Sequence, residues 1–115
     1  MSRNHTPVLT LTIVATGTIV GDRFITPLGA QTGADGNTLG VSRVAGVSGD
    51  RLTVDTNGTA VVETGAAITV GQTLKVDASG RAIPWITAGA RVGIALEAAS
   101  AAGNFIEVLL IPNAV

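Results

Sequence analysis

The chain has 115 residues and no cysteine, and its seven Lys and Arg against eight Asp and Glu give a formal net charge of −1. This length suits a single domain that folds without disulfides, and the missing cysteines exclude thiolate chemistry. The basic residues are dispersed, which argues against a nucleic-acid partner because phosphates are neutralised by clustered cations. Only 13% of the residues are charged while 46% are hydrophobic, so we expect part of the apolar surface to contact another chain.

The N-terminal residues are polar, and we predict a flexible arm over residues 1–7 that contains Arg3 and His5. A secretory signal would place an apolar core after the first Met, so we expect no export by a cleaved signal. Residues 8–115 are predicted to form a single β domain. Its apolar runs, such as Val108 to Ile111, are far shorter than the ~20 residues that cross a bilayer, so we expect no membrane partner.

Alternation of apolar and polar residues dominates the chain and predicts β-strands. In the first candidate strand, over residues 8–14, the side chains of Leu9, Leu11 and Ile13 share one face, so we predict that this strand is half-buried. Most of the 15 glycines lie between the later candidate strands, where they would supply tight turns. Those candidates span residues 18–20, 24–26, 38–44, 51–55, 59–63, 67–70, 73–77, 81–83, 91–97 and 105–111.

An internal repeat is the most specific pattern in the sequence. The pattern Leu-x-Val-Asp-x-Asn/Ser-Gly-x-Ala-Val/Ile occurs at residues 52–61 and again 22 residues later, at residues 74–83. In each copy the Leu and Val would face inward, the Asp would accept backbone N–H bonds at a turn, and the strand would return. We therefore predict two successive β-hairpins. The predicted fold class is all-β, a small antiparallel β-barrel or sandwich built of consecutive hairpins with little or no helix.

Two segments allow more than one interpretation. Residues 97–102 contain strong helix formers but are too few for a stable helix. We interpret them as the end of a strand and a tight connection, with a single helical turn as the alternative. Trp85 and Ile86 are large apolar residues in a predicted loop, where Trp85 either packs on the barrel or anchors an interface.

The last predicted strand is apolar on both faces, with Ile106 and Val108 on one face and Phe105 and Leu109 on the other. Such a strand is covered on both sides, either by a second layer or by a neighbouring subunit. The candidate interface residues are Arg3, His5, Trp85, Ile86, Phe105 and Leu109.

Residues that carry most enzyme chemistry are scarce. His5 is the only histidine, and it lies in the predicted arm, so neither a Ser-His pair nor a histidine metal site is supported. Asp55 and Asp77 could in principle form a catalytic carboxylate pair. Their positions at the two predicted turns already explain both residues as turn formers, so we do not predict such a pair. The glycine-rich stretch at residues 29–40 lacks the Gly-Lys-Ser/Thr ending of a phosphate-binding loop. We expect no enzyme activity, no cofactor and no metal site.

The sequence from Gly40 to Leu110 resembles the capsid decoration proteins of tailed bacteriophages, also called cement or head-stabilising proteins. The resemblance is carried by the first predicted hairpin and by the stretches ITVGQTLKVD at residues 68–77, VGIALEAA at residues 92–99 and FIEVLL at residues 105–110. Residues before Gly40 resemble the family less. The resemblance adds no catalytic residue.

The resemblance implies a β-barrel-like domain that forms a homotrimer on the outer surface of an assembled phage head. There it would bind the major capsid protein and stabilise the head by bridging neighbouring capsid proteins. It also implies a protein that is made in the host cytoplasm and becomes part of the virion. Two alternatives stay open: another virion component, in the tail or in head completion, and a small carbohydrate- or receptor-binding β module. A small hydrolase that uses Asp and Glu is disfavoured by the scattered acidic residues.

Overall fold

The computed structural model describes residues 6–111, with side chains from residue 8 onward. These residues contain no helix, and so none that is long and apolar enough to cross a membrane. The all-β prediction is therefore confirmed. The strands are β1 (Thr6–Val14), β2 (Arg23–Ile25), β3 (Gly40–Ser42), β4 (Arg51–Glu63), β5 (Thr73–Val76), β6 (Ala82–Pro84), β7 (Gly93–Ala95) and β8 (Phe105–Leu110).

The strands form one antiparallel sheet in the order β2-β3-β4-β8-β7-β5-β6, with β1 paired to β4. The sheet curls until its ends meet. The Phe24 N–H of β2 donates to the Gly80 carbonyl in the turn between β5 and β6 at 2.9 Å, and the Gly65 N–H after β4 donates to the Ala82 carbonyl of β6 at 2.8 Å. These contacts nearly close the sheet into a barrel, as predicted.

Buried apolar side chains form two groups on opposite faces of β2 to β4, because the consecutive residues Phe24 and Ile25 belong to different groups. The larger group lies under β4 to β8 and includes Val62, Leu74 and Val108. The smaller group consists of Ala15, Ile19, Ile25, Leu52 and Val54, with Ile13 and Leu39 partly buried against it. The smaller core lies on the outer face of the sheet, against β1 and the first half of β4, because Val54 faces away from the side on which Val41 and Asp55 lie.

The first copy of the repeat is not a hairpin. Residues 51–63 form the single 13-residue strand β4, which pairs with β1 along Arg51 to Thr59 and with β8 along Thr59 to Glu63. Gly58 has the left-handed backbone of a turn, with φ of 90°, but β1 follows it by shifting register between Pro7 and Thr10. The glycine therefore produces an irregularity in a continuous strand and not a reversal.

The second copy is a hairpin, as predicted. Val76 of β5 pairs with Ala82 of β6. Oδ1 of Asp77 accepts hydrogen bonds from the N–H groups of Ser79 at 2.8 Å and Arg81 at 2.9 Å, and Gly80 adopts φ of 78°. The Asp therefore holds the turn closed.

β1 occupies the predicted position, and the predicted burial of one face is confirmed for Ile13, which packs partly buried against the smaller core, but is wrong for the two leucines. Leu9 and Leu11 stay 44% and 38% exposed. Leu11 pairs with the buried Val54 and so lies on the side of the sheet that holds the smaller core. It is uncovered because no segment of the described chain packs over this end of the smaller core. The segment after β7 contains bends and a turn with no helical turn, which confirms the interpretation as a connection.

Candidate interaction surfaces

Several acidic residues in the described chain form ion pairs that connect parts of the fold. Residues 6–111 contain no group of three or more His, Asp or Glu side chains that could hold a metal ion. Glu63 is paired with Nε of Arg23 at 3.1 Å and with Nη1 of Arg81 at 3.8 Å. Arg81 is also paired with Asp77 at 3.1 Å. These ion pairs tie the β5–β6 turn to β2 and to the end of β4.

Asp55 does not form a turn, contrary to the sequence interpretation. Its side chain is buried, and Oδ2 accepts a hydrogen bond from Nε of Arg43 at 2.9 Å. Oδ1 accepts a hydrogen bond from the Thr10 hydroxyl at 3.2 Å. The carboxylate therefore connects β1 and the end of β3 to β4.

The predicted interface residues Arg3 and His5 lie outside the described residues. Trp85 is half-buried just after β6. Its indole Nε1 donates to the Gly89 carbonyl at 3.0 Å, and the guanidinium of Arg91 lies 4.0 Å from the ring centroid. These contacts favour the interpretation in which Trp85 packs on the barrel. The next residue, Ile86, is 75% exposed and remains a candidate contact.

Phe105 and Leu109 lie together on the outer face of β8. They are 38% and 40% exposed, whereas Ile106 and Val108 point into the core. Leu109 pairs with Thr59 of β4 on one side and with Ile94 of β7 on the other. We call the surface formed by Phe105, Glu107, Leu109, Thr59 and Ile94 the β8 face.

The β8 face extends toward Trp85. Ile94 pairs with Thr73 of β5, and the Trp85 N–H donates to the Thr73 carbonyl at 2.8 Å. Directly paired residues share a face of a sheet, so Leu109, Ile94 and Thr73 form one row that ends at the Trp85 backbone. This row connects two of the candidate interface residues, Leu109 and Trp85, and Phe105 lies on the same face of β8 as Leu109. Ile86 follows Trp85 in the chain.

Glu107 lies in the β8 face between Phe105 and Leu109. Its residue surface is only 7% exposed. Its N–H donates to Oε1 of Glu97 at 2.8 Å, so two carboxylates lie in this part of the surface. Sequence analysis did not single out Glu107, because a lone acid in an apolar strand gives no sign of how deeply neighbouring side chains cover it.

A second surface, which sequence analysis missed, is an apolar groove beside β1. Its volume is about 330 Å³, and none of its lining residues is charged. We call it the β1 groove, and its lining is formed by Leu9, Leu11, Pro27, Thr38, Leu39, Thr56 and Asn57. The sequence pattern that marks this surface is the alternation of Leu9, Leu11 and Ile13, which by itself predicts a buried face. The structure leaves the first two of these side chains open to solvent.

Three further exposed apolar side chains lie near the end of β1, those of Val14, Leu28 and Val47. They lie on neighbouring segments, because the Thr16 N–H donates to the Gly29 carbonyl at 3.0 Å and the Gly49 N–H donates to the Ala15 carbonyl at 2.8 Å. Leu28 follows Pro27 of the β1 groove in the chain. The apolar surface around β1 is therefore broader than the groove itself.

The fold and its surfaces define a small β-barrel module with two exposed apolar surfaces on the outer face of its sheet. The chain belongs to the phage cement protein family, whose model matches residues 2–110. It is therefore a structural protein associated with the phage capsid. The match confirms the resemblance and extends it over the residues before Gly40, which had resembled the family less.

The barrel is similar to a structure described as "The crystal structure of head fiber gp8.5 N base in bacteriophage phi29". The two chains share 18% sequence identity with a TM-score of 0.70, over 90% of this chain and 93% of that chain. At this identity the likeness shows a common fold. No curated protein sequence matches the chain significantly.

Proposed function

We propose that the protein is a homotrimeric cement protein that binds the outer surface of the assembled phage head and bridges neighbouring major capsid proteins. The observation that carries this proposal is the presence of two exposed apolar surfaces on one small barrel of the cement family. A bridging protein needs separate surfaces for separate partners. The β8 face and the β1 groove both lie on the outer face of the sheet, but on different strands, β8 and β7 for the first and β1 for the second, and so meet this need.

The two surfaces differ in charge, and this difference supports a division of roles. The lining of the β1 groove has no charged residue, whereas the β8 face contains Glu107 beside Glu97. We assign the β8 face to the contact between copies, where Phe105 and Leu109 become buried. In a three-fold assembly this face meets a different surface of the next copy, so the carboxylates of two copies need not face each other.

Stabilisation of the head follows from binding linkage. A protein that binds the assembled shell and not its free subunits shifts the equilibrium toward assembly. A trimer with three equivalent contacts also gains avidity, because the second and third contacts form at a high effective concentration.

The proposal is tested with heads of the encoding phage that lack this protein. Native mass spectrometry of the free protein should give a trimer, and the trimer should co-sediment with expanded heads and raise the temperature at which they disrupt. A monomer that does not bind these heads would overturn the proposal. Such a monomer would favour the carbohydrate-binding alternative if it bound a glycan array.

A further inference from the structure

Within residues 6–111, one edge of β1 has main-chain groups that no other strand pairs with. In an antiparallel pair, alternate residues direct their N–H and C=O groups to the partner strand. The Arg43 N–H donates to the Thr53 carbonyl at 2.9 Å, and the Ala15 N–H donates to the Asp50 carbonyl at 2.8 Å. Thr53 therefore faces β3, and its partner Thr12 on β1 directs its main-chain groups away from β4. Thr10, two residues earlier, does the same.

The open edge has a defined length. Toward its C-terminal end the edge is covered, because the Thr16 N–H donates to the Gly29 carbonyl at 3.0 Å and a Cβ added to Gly29 would overlap the Val14 carbonyl oxygen. From Val8 to Thr12 no strand of the described chain other than β4 pairs with β1. Val8 is 82% exposed at the start of this stretch.

From Thr10 to Val14 this edge has no charged residue, no proline and no register shift, since Pro7 and both shifts lie before Thr10. Natural proteins place charged residues, bulges or prolines along such edges, because an open edge is a template for another chain. No charged residue occurs between His5 and Asp22, and Pro7 is the only proline between them. The edge is therefore able to pair with another chain.

The adjacent groove indicates the chemistry of that partner. Leu9 and Leu11 lie on the side of the sheet that holds the smaller core, and they line the groove with Leu39 and Pro27. An extended chain that pairs with Thr10 and Thr12 would direct every second side chain to this side of the sheet. An uncharged apolar side chain there would cover the exposed end of the smaller core.

We propose that β1 accepts an extended, uncharged segment of a capsid protein as an added β-strand. That a capsid protein supplies this strand rests on the proposed function. The main-chain hydrogen bonds would provide affinity, and the β1 groove would select the side chain. A second copy of this chain is the less suitable occupant. Two β1 edges paired with each other would form a two-fold contact, which closes a dimer and not a trimer.

The test exploits the outward direction of the Thr12 N–H. Thr12→Pro removes this donor and places a ring on the open edge, while the hydrogen bonds to β4 stay intact. Thr12→Val is the matched control, because it loses the hydroxyl and keeps the N–H. We expect Thr12→Pro to bind heads lacking the protein at least about tenfold more weakly than Thr12→Val, with the same native mass. Equal binding by the two variants would overturn the proposal.

Hydrogen exchange of the unmodified protein provides a measurement that does not depend on whether Thr12→Pro folds. Amides of residues 8–14 should exchange rapidly in the free trimer at the outward positions and become protected on heads. Binding to heads without new protection in this segment would overturn the inference and leave the proposed function standing. Failure to bind heads would overturn both. A free dimer in which this segment is already protected would show that a second copy occupies the edge.

Discussion

Asp55 is a buried carboxylate near the middle of β4, and its partners explain why it is there. It accepts hydrogen bonds from Arg43 and Thr10, so its charge is compensated by a guanidinium whose own side chain is 35% exposed. The same residue type at Asp77 accepts two backbone N–H bonds and closes a turn. The role of Asp55 is therefore decided by residues distant in sequence, whereas the role of Asp77 is decided by adjacent residues.

Replacing Asp55 should destabilise the junction of β1, β3 and β4. Asp55→Ala leaves the Arg43 guanidinium and the Thr10 hydroxyl without their acceptor, and we expect a loss of about 3 kcal/mol in the free energy of unfolding. Thr10→Val removes only one hydrogen bond and should cost about 1 kcal/mol. Urea denaturation of both variants measures the difference. A loss for Asp55→Ala no larger than that for Thr10→Val would show that the carboxylate does not hold the junction.

Trp85 and Ile86 are adjacent but should respond differently to truncation. Trp85→Ala removes a half-buried ring, its hydrogen bond to Gly89 and its contact with Arg91, and should cost about 1–2 kcal/mol of stability. Ile86→Ala removes an exposed side chain and should change stability by less than about 0.5 kcal/mol.

If Ile86 contacts a partner, its truncation should weaken trimer formation or head binding at unchanged melting temperature. Thermal melts combined with co-sedimentation separate these effects. Should Ile86→Ala match the wild-type protein in both assays, Ile86 is not an interface residue.

At the scale of the elements, local sequence patterns predicted the positions of strands better than they predicted which strands pair with each other. The alternation in β8 and the second repeat correctly identified a strand and a hairpin, because the residues that determine them are neighbours in sequence. The same pattern at Gly58 gave a continuous strand, because β1 and β8 pair along both halves of β4. The exposure of Leu11 was also beyond sequence analysis, since it depends on which distant segments pack over the smaller core on the outer face of the sheet.

The contact between β3 and β4 can be tested at a glycine. Gly40 lies at the start of β3, where an added Cβ would overlap the Asp55 carbonyl oxygen. Backbone atoms in a paired strand cannot move aside, so Gly40→Ala should cost at least about 2 kcal/mol or prevent folding. Gly33→Ala is the matched control, because no heavy atom lies within 4 Å of its added Cβ, and it should change stability by less than about 0.5 kcal/mol. Similar melting temperatures for the two variants would contradict this close approach.

At the scale of the whole molecule, the two apolar surfaces should be separable by charge. Leu109→Glu adds a carboxylate beside Glu107 on the β8 face, where burial against another copy would cost several kcal/mol. We expect this variant to be a monomer by native mass spectrometry. Leu11→Glu places the same charge in the β1 groove and should leave the trimer intact.

The two variants should also lose head binding for different reasons. A Leu109→Glu monomer retains its β1 groove, so it should still bind heads, but with the lower affinity expected when avidity is lost. A Leu11→Glu trimer retains its avidity but presents three altered grooves, so its binding should fall further at equal barrel concentration. The opposite pattern, in which Leu11→Glu dissociates the trimer and Leu109→Glu does not, would exchange the roles of the surfaces. In that case the β8 face, with its two carboxylates, would be the surface that contacts the head.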